Sequence, residues 1–175
     1  SIDPRYSARR AIEEPLRAFR IGDRAARAAR VDALADLVQL PRSVLGHTPD
    51  RLSGGQCQRV AIARALATDP AALVCDEVVS ALDHSAKHLV IDLLRELRAA
   101  LGLAVVFITH DLSAAAELTD RLVVLRDGLV VEEGPTAVLL TAPRHPHTRE
   151  LVAATPPPVT PSDHTASDND REQSR

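Results

Sequence analysis

The sequence predicts an α/β fold, with parallel strands alternating with helices and a β-hairpin towards the C-terminal side. Three observations predict it. The apolar run Ala72–Cys75 ends in Asp76-Glu77, the pattern of a buried parallel strand that delivers carboxylates at its C-terminal end. A second apolar run, Leu103–Ile108, follows a long helical pattern and ends at Thr109-His110. Asp127-Gly128, between two further apolar runs, is a tight hairpin signal.

The elements follow in order. Residues from about 7 to 40 read as helical, with Val31, Leu34, Ala35 and Val38 on one apolar face. Arg24, Arg27 and Arg30 recur on another side. Asp23 and Asp32 stand among them, so a solvated face is preferred over an anion-binding stripe. Pro41 ends the helical pattern, and Leu45 to Arg51 reads as a loop. Ser53, followed three residues later by Gln56, has the spacing of a capping box. Gly54 and Gly55 between them present bare amides at the positive end of a helix, a place for an anion. The Ala-rich helix through Gln58–Leu66 then runs to a turn at Asp69-Pro70 and the strand ending at Asp76-Glu77.

His84 to Leu101 is a helix with Val90, Leu94, Leu97 and Leu101 on its apolar stripe and Gly102 as its stop. His84 and His88 are read as surface histidines, since the pattern offers no third metal ligand. Leu112–Leu118 is a short helix, and Arg121–Leu125 a strand returning through Leu129–Val131 to Gly134-Pro135. A short helix from Thr136 precedes a loop holding His145 and His147, taken as incidental rather than metal-binding. The Pro- and Ser-rich stretch from Thr155 reads as a disordered tail.

Composition sets the limits. At 175 residues the chain is about one domain. Aromatic residues make up only 2% of it, so the core must be built from Leu, Val, Ala and Ile. A net charge of −3 argues against a protein that lives on nucleic acid. Cys57 and Cys75 are expected to be reduced thiols. No apolar run approaches a membrane span, so membrane association is expected to come through a partner.

Leu52-Ser53-Gly54-Gly55-Gln56, Leu73-Val74-Cys75-Asp76-Glu77, Ser80-Ala81-Leu82-Asp83 and His110 together resemble the signature, Walker B, D-loop and switch-histidine motifs of ABC transporter ATP-binding subunits. Pro143 to Thr148 is similar to the extension of oligopeptide, dipeptide and nickel importer ATPases, with His147 where those have tyrosine. Val78 also departs from the proline usual after the Walker B acids.

The resemblance implies a P-loop NTPase fold of ABC type, with ATP and Mg²⁺ as cofactors. Its implied roles are Asp76 for the metal, Glu77 to polarise the attacking water and His110 at the γ-phosphate. It further implies that Ser53, Gly54, Gly55 and Gln56 close on ATP held by the opposite subunit, with Asp83 sensing the dimer. The implied partners are a second ATPase subunit or fused half and transmembrane permease subunits, at the inner face of the cell membrane.

No stretch reads G-x-x-x-x-G-K-[ST], the loop whose amides and lysine hold phosphates. The chain is therefore expected to be the C-terminal part of a nucleotide-binding domain. In that frame residues 1–68 form the partial helical signature subdomain and 69–134 the Walker B, D-loop and switch part. Residues 135–154 are the importer-type extension and 155–175 the tail. The rival expectations are a non-catalytic half-domain acting in trans and an ABC ATPase without a transport role.

Overall fold

The computed structural model describes residues 2–155 apart from Ala81. Ala81, the side chain of His84 and the tail at 156–175 lie outside the described residues, and so do the expectations placed on them.

The helical stretch expected over residues 7–40 is two helices, α1 (Ala8–Ala18) and α2 (Arg24–Leu37). The break falls where Arg20 and Gly22 both take positive φ, 57° and 65°, and Asp23 then caps α2 by accepting from Ala26 N. No apolar position from 17 to 30 is buried, so the two helices contribute separate apolar faces, divided by Gly22 and the Asp23 cap. Val31, Leu34, Ala35 and Val38 are all fully buried, as their spacing predicts. The segment expected as a loop before the signature contains two short 3-10 turns, Arg42–Val44 and Pro49–Arg51.

Helix α3 (Gly54–Ala65) packs Val60 and Ala63 into the same core as Ile12 and Leu16 of α1. Helices α2 and α3 also cap each other. Arg59 of α3 donates to Val38 O at 2.6 Å, and Arg30 of α2 donates to Leu66 O at 3.2 Å. Each guanidinium satisfies a carbonyl that a helix end leaves without an internal partner. Arg30 also pairs with Asp69, and Arg27 with Glu13 at 3.2 Å, so these arginines brace helices.

Strand β1 (Ala72–Asp76) pairs in parallel with β2 (Ala104–Ile108), with Leu73 opposite Val105 and Asp76 opposite Ile108. Helix α4 (His84–Leu101) connects them and covers one face with Val90, Ile91 and Leu94. Strand β1 was expected to be buried, and it is so on one face only. Leu73 and Cys75 point into the core, while Val74 is 64% exposed and Val106 beside it 52%. Both strands are apolar on both faces, so the sequence alone does not reveal that one face is open. Leu101, expected on the apolar stripe of α4, is also exposed, because Gly102 at φ 64° turns the chain away there.

Helix α5 (Leu112–Leu118) is fastened to α4 through its last carbonyls. Arg95 donates to Glu117 O and Arg98 to Leu118 O, at 3.1 and 2.9 Å. Strands β3 (Arg121–Arg126) and β4 (Leu129–Pro135) form the expected antiparallel hairpin around Asp127-Gly128. Both turn residues have positive φ, 50° and 77°, as a two-residue hairpin loop requires. Helix α6 (Thr136–Thr141) lies so close that a Cβ at Gly134 would sit 2.6 Å from Leu139 Cδ1.

The stretch expected as a loop around His145 is the start of α7 (Pro146–Ala154). His145 accepts from His147 N at the cap, and Pro146 occupies the first turn, where it has no N–H to lose. Glu132 of β4 takes this helix start in a bracket: Oε1 accepts from Arg144 N at 2.8 Å and Oε2 from His145 N at 3.0 Å. Among the described residues no helix is long and apolar enough to cross a membrane.

Candidate functional site

The chemistry-bearing residues lie at the C-terminal ends of β1 and β2 and at the N-terminal ends of the helices that follow. Asp76 ends β1 with its side chain exposed. Glu77, one residue on, holds a left-handed backbone at φ 50°, rare for a residue with a Cβ and costing on the order of 1 kcal/mol or more. The turn is held on both sides. Glu77 N donates to Ile108 O at 3.0 Å, and Glu77 O accepts from Ser80 N and Ser80 Oγ at 3.2 and 2.9 Å. It sets the Glu77 carboxylate 3.0 Å from His110 Nδ1, one and two residues past the last strand pair, Asp76 and Ile108. An imidazole there either donates to the carboxylate or, when protonated, forms an ion pair with it.

The turn after β2 is equally constrained. Asp111 N donates to Thr109 Oγ1 at 3.0 Å, and Asp111 Oδ1 caps α5 by accepting from Ala114 N at 3.0 Å. Its other oxygen, Oδ2, pairs with Lys87 Nζ from α4. Burial by itself would raise the Asp111 carboxyl. The Lys87 ammonium and the Ala114 and Ser113 amides outweigh burial and hold it below the ordinary carboxylate value. Sequence reasoning gave no role to Lys87 or Asp111. The available signal was the spacing: Lys87 lies four residues after Asp83, one helical turn on, and Asp111 directly follows His110.

The capping box at Ser53 is complete. Ser53 Oγ accepts from Gln56 N at 3.2 Å, and Gln56 Oε1 accepts from Ser53 N at 3.0 Å. Gln56 thus spends its side-chain oxygen within the motif. Space in front of the glycines is open: a Cβ at Gly55 would meet nothing within 4 Å, and one at Gly54 only Leu82 Cδ2 at 3.4 Å. Asp83 caps α4 by accepting from Ala86 N at 2.9 Å. Its location after Leu82 puts it near the signature side.

The structure therefore gathers the predicted residues into two groups. Glu77 and His110 are in direct contact, with Asp76 at the adjoining strand end. Ser53, Gly54, Gly55 and Gln56 form a separate helix terminus, and among the described residues no hydrogen bond joins them to Glu77 or His110. Beside His110 lies a cavity of about 230 Å³ lined by Val79, Ser80, Leu82, Lys87, Thr109, His110 and Asp111. Cys57 and Cys75 are both free, and burial pushes the Cys75 thiol up to about 11. Among the described residues no three His, Cys, Asp or Glu side chains converge as a metal cluster. Asp76 and the open α3 terminus suit the chemistry of Mg²⁺–nucleotide, where phosphates and waters supply most of the ligands.

Comparison with known proteins bears out the family resemblance read from the motifs. Residues 1–80 match the model of the ABC transporter family. A peptide import ATP-binding protein of Brucella abortus is 44% identical over 156 residues, covering 89% of this chain and 47% of that protein. The glutathione import ATP-binding protein GsiA of Salmonella typhimurium is 42% identical over the same length, with 25% of its own length covered. The oligopeptide transport ATP-binding protein OppF of Lactococcus lactis is 39% identical, with 49% covered. The chain thus spans about half or less of the curated relatives it matches. Among solved structures, the dimeric ATP-binding cassette MJ0796 in a post-hydrolysis state bound to ADP and Pi superposes at a TM-score of 0.68 and 34% identity. That match covers 78% of this chain and 59% of MJ0796.

Proposed function

We propose that this chain, which carries the ABC transporter family match and the fold of ABC ATPase cassettes, is the later part of an ATP-hydrolysing subunit that powers import of peptides or related solutes. The observation that carries the reading is the contact between the Glu77 carboxylate and His110 Nδ1 at 3.0 Å, at the ends of two parallel strands. A carboxylate at such a strand end is placed to polarise a water, and the imidazole beside it to hold the carboxylate and meet a phosphate oxygen. Asp76 is the residue that would hold Mg²⁺, through water. The magnesium ion supplies charge neutralisation on the transferred phosphate.

Ser53 Oγ and the Gly54 and Gly55 amides serve a second nucleotide. Ser53 Oγ accepts from Gln56 N, so its own proton remains to be donated to an anion. Among the described residues no hydrogen bond joins these groups to Glu77 or His110, which is compatible with a site completed across a head-to-tail dimer. The solute class rests on the named relatives, and permease partners at the inner face of the membrane would follow from a role in import.

The open sheet face supports the partial-cassette reading. Val74, Val106 and Ile108 are apolar and exposed together, the surface that a further strand and helix of a cassette would cover.

The test is ATP hydrolysis by the chain assembled with the segment or subunit that supplies a phosphate loop. Glu77→Gln is expected to cut turnover by about 10²–10⁴ while leaving nucleotide bound. Undiminished turnover would remove Glu77 from the role and favour the trans-acting half-domain.

A further inference from the structure

The Lys87–Asp111 ion pair lies at the edge of the site. His110 reaches Glu77 from a short turn whose shape depends on the residue that follows. Asp111 divides its two oxygens, one capping α5 through Ala114 N and the other paired with Lys87. Lys87 is not a surface decoration here, since its side chain is only 16% exposed and Asp111's 29%. Pairs so withdrawn from water are screened less than surface pairs, and breaking one leaves a half-buried charge without a partner.

Lys87 also belongs to the first turn of α4, where its N–H donates to Asp83 O at 2.9 Å. Asp83 caps that helix, and Leu82 before it is the side chain nearest the Gly54 position. One short, half-buried link therefore runs from the start of α4, beside the signature, to the residue that fixes His110.

We propose that Lys87 is a positioning residue for ATP hydrolysis: through Asp111 it holds the turn that presents His110 to Glu77 and ties that turn to the start of α4. The proposal rests on the reading of Glu77 and His110 as the hydrolytic pair. Lys87 bonds to Asp111 and, among the described residues, makes no hydrogen bond to Glu77 or His110. Its effect falls on the geometry of the turnover step, not on the affinity for nucleotide. A shift of about 1 Å in a positioned group is enough to cost a large factor in rate.

The experiment is steady-state ATP hydrolysis by the assembled protein, comparing wild type, Lys87→Met, Lys87→Arg, Asp111→Asn and the double variant. Lys87→Met is expected to lower kcat by about 10-fold, with KM for MgATP within about 2-fold of wild type, in the range of couplings between neighbouring sites. Lys87→Arg keeps the charge and a donor, and is expected to recover most of the lost kcat. The double variant is expected to fall no further than either single one, since both remove the same bridge. If Lys87→Met fails to fold, Asp111→Asn reads the same bridge from the other side.

A kcat for Lys87→Met or Asp111→Asn within 2-fold of wild type overturns the proposal, and so does a rise in KM at constant kcat. Glu77→Gln in the same series separates the two readings. If it cuts turnover while the Lys87 variants do not, only the positioning role fails. If it leaves turnover intact, the hydrolytic assignment fails first.

Discussion

The carboxylate of Glu77 meets Nδ1 of His110 at 3.0 Å, although 33 positions separate them in the chain. The contact is made by backbone as much as by side chain, because the Glu77 N–H is bound to Ile108 O and its φ is 50°. A pair held in this way leaves little freedom for the carboxylate to wander, and its removal is expected to act on rate.

Glu77→Gln in the assembled protein is expected to cut ATP turnover by about 10²–10⁴, the range for loss of a general base. Nucleotide binding, followed by equilibrium titration with a fluorescent ATP analogue, is expected to persist. Turnover equal to wild type counts against the assignment.

Ser53→Ala removes one arm of the capping box and is expected to cost about 1 kcal/mol of stability. Gly54→Asp is expected to do more harm to hydrolysis than to folding. The new Cβ would meet Leu82 only at 3.4 Å, an ordinary contact, whereas the new charge sits at a helix end that favours anions from outside. In mixed dimers with one altered subunit, the defect is expected at the partner's nucleotide. A defect confined to the altered subunit's own nucleotide excludes action in trans.

Acid stability is expected to depend on Asp111. Burial opposes its ionisation, but Lys87 and two backbone amides outweigh burial and depress its carboxyl on folding. A depressed carboxyl adds stability that is present above the unfolded value of about 4 and is lost as pH falls through the folded value. Urea midpoints are expected to drop more steeply below about pH 4 for wild type than for Asp111→Asn. Parallel curves would show that the pair adds nothing to stability.

Expressed alone, the chain is expected to hydrolyse no ATP and to self-associate through its open sheet. Val74, Val106 and Ile108 offer an apolar face, and the backbone beside it an unpaired edge. Val106→Lys is expected to shift the chain towards monomer in light scattering. A wild-type chain that is already monomeric, with a sharp thermal transition and micromolar ATP binding, would overturn this expectation.

The sequence was most readable where one residue decides the local geometry. Gly102 stops α4, Asp127-Gly128 turns the hairpin and Ser53 with Gln56 starts α3, each by a local rule that needs no tertiary partner. It was least readable where packing decides. The helix expected over 7–40 is divided at Arg20–Asp23 by two residues of positive φ and a capping aspartate, and α7 begins inside a stretch whose two prolines and two histidines read as loop. In the site, Glu77 and His110 could be named from motif resemblance, but not their contact, which depends on strand register. Lys87 escaped because an exposed-looking lysine on a helix is the commonest kind of lysine.

Glu132 has a consequence for protein engineering. Its two oxygens hold the amides of Arg144 and His145, so the C-terminal helix α7 is docked by an acid that lies 12 and 13 positions upstream, in the hairpin. The extension is therefore not a cassette that can be cut and pasted by its own boundaries. A chimera that transplants residues 143–154 onto a foreign hairpin inherits the helix without its anchor, unless the recipient carries a carboxylate at the matching rung. The unit that can be exchanged between relatives begins at β3, and its true border is a hydrogen-bond partner rather than a position in the sequence.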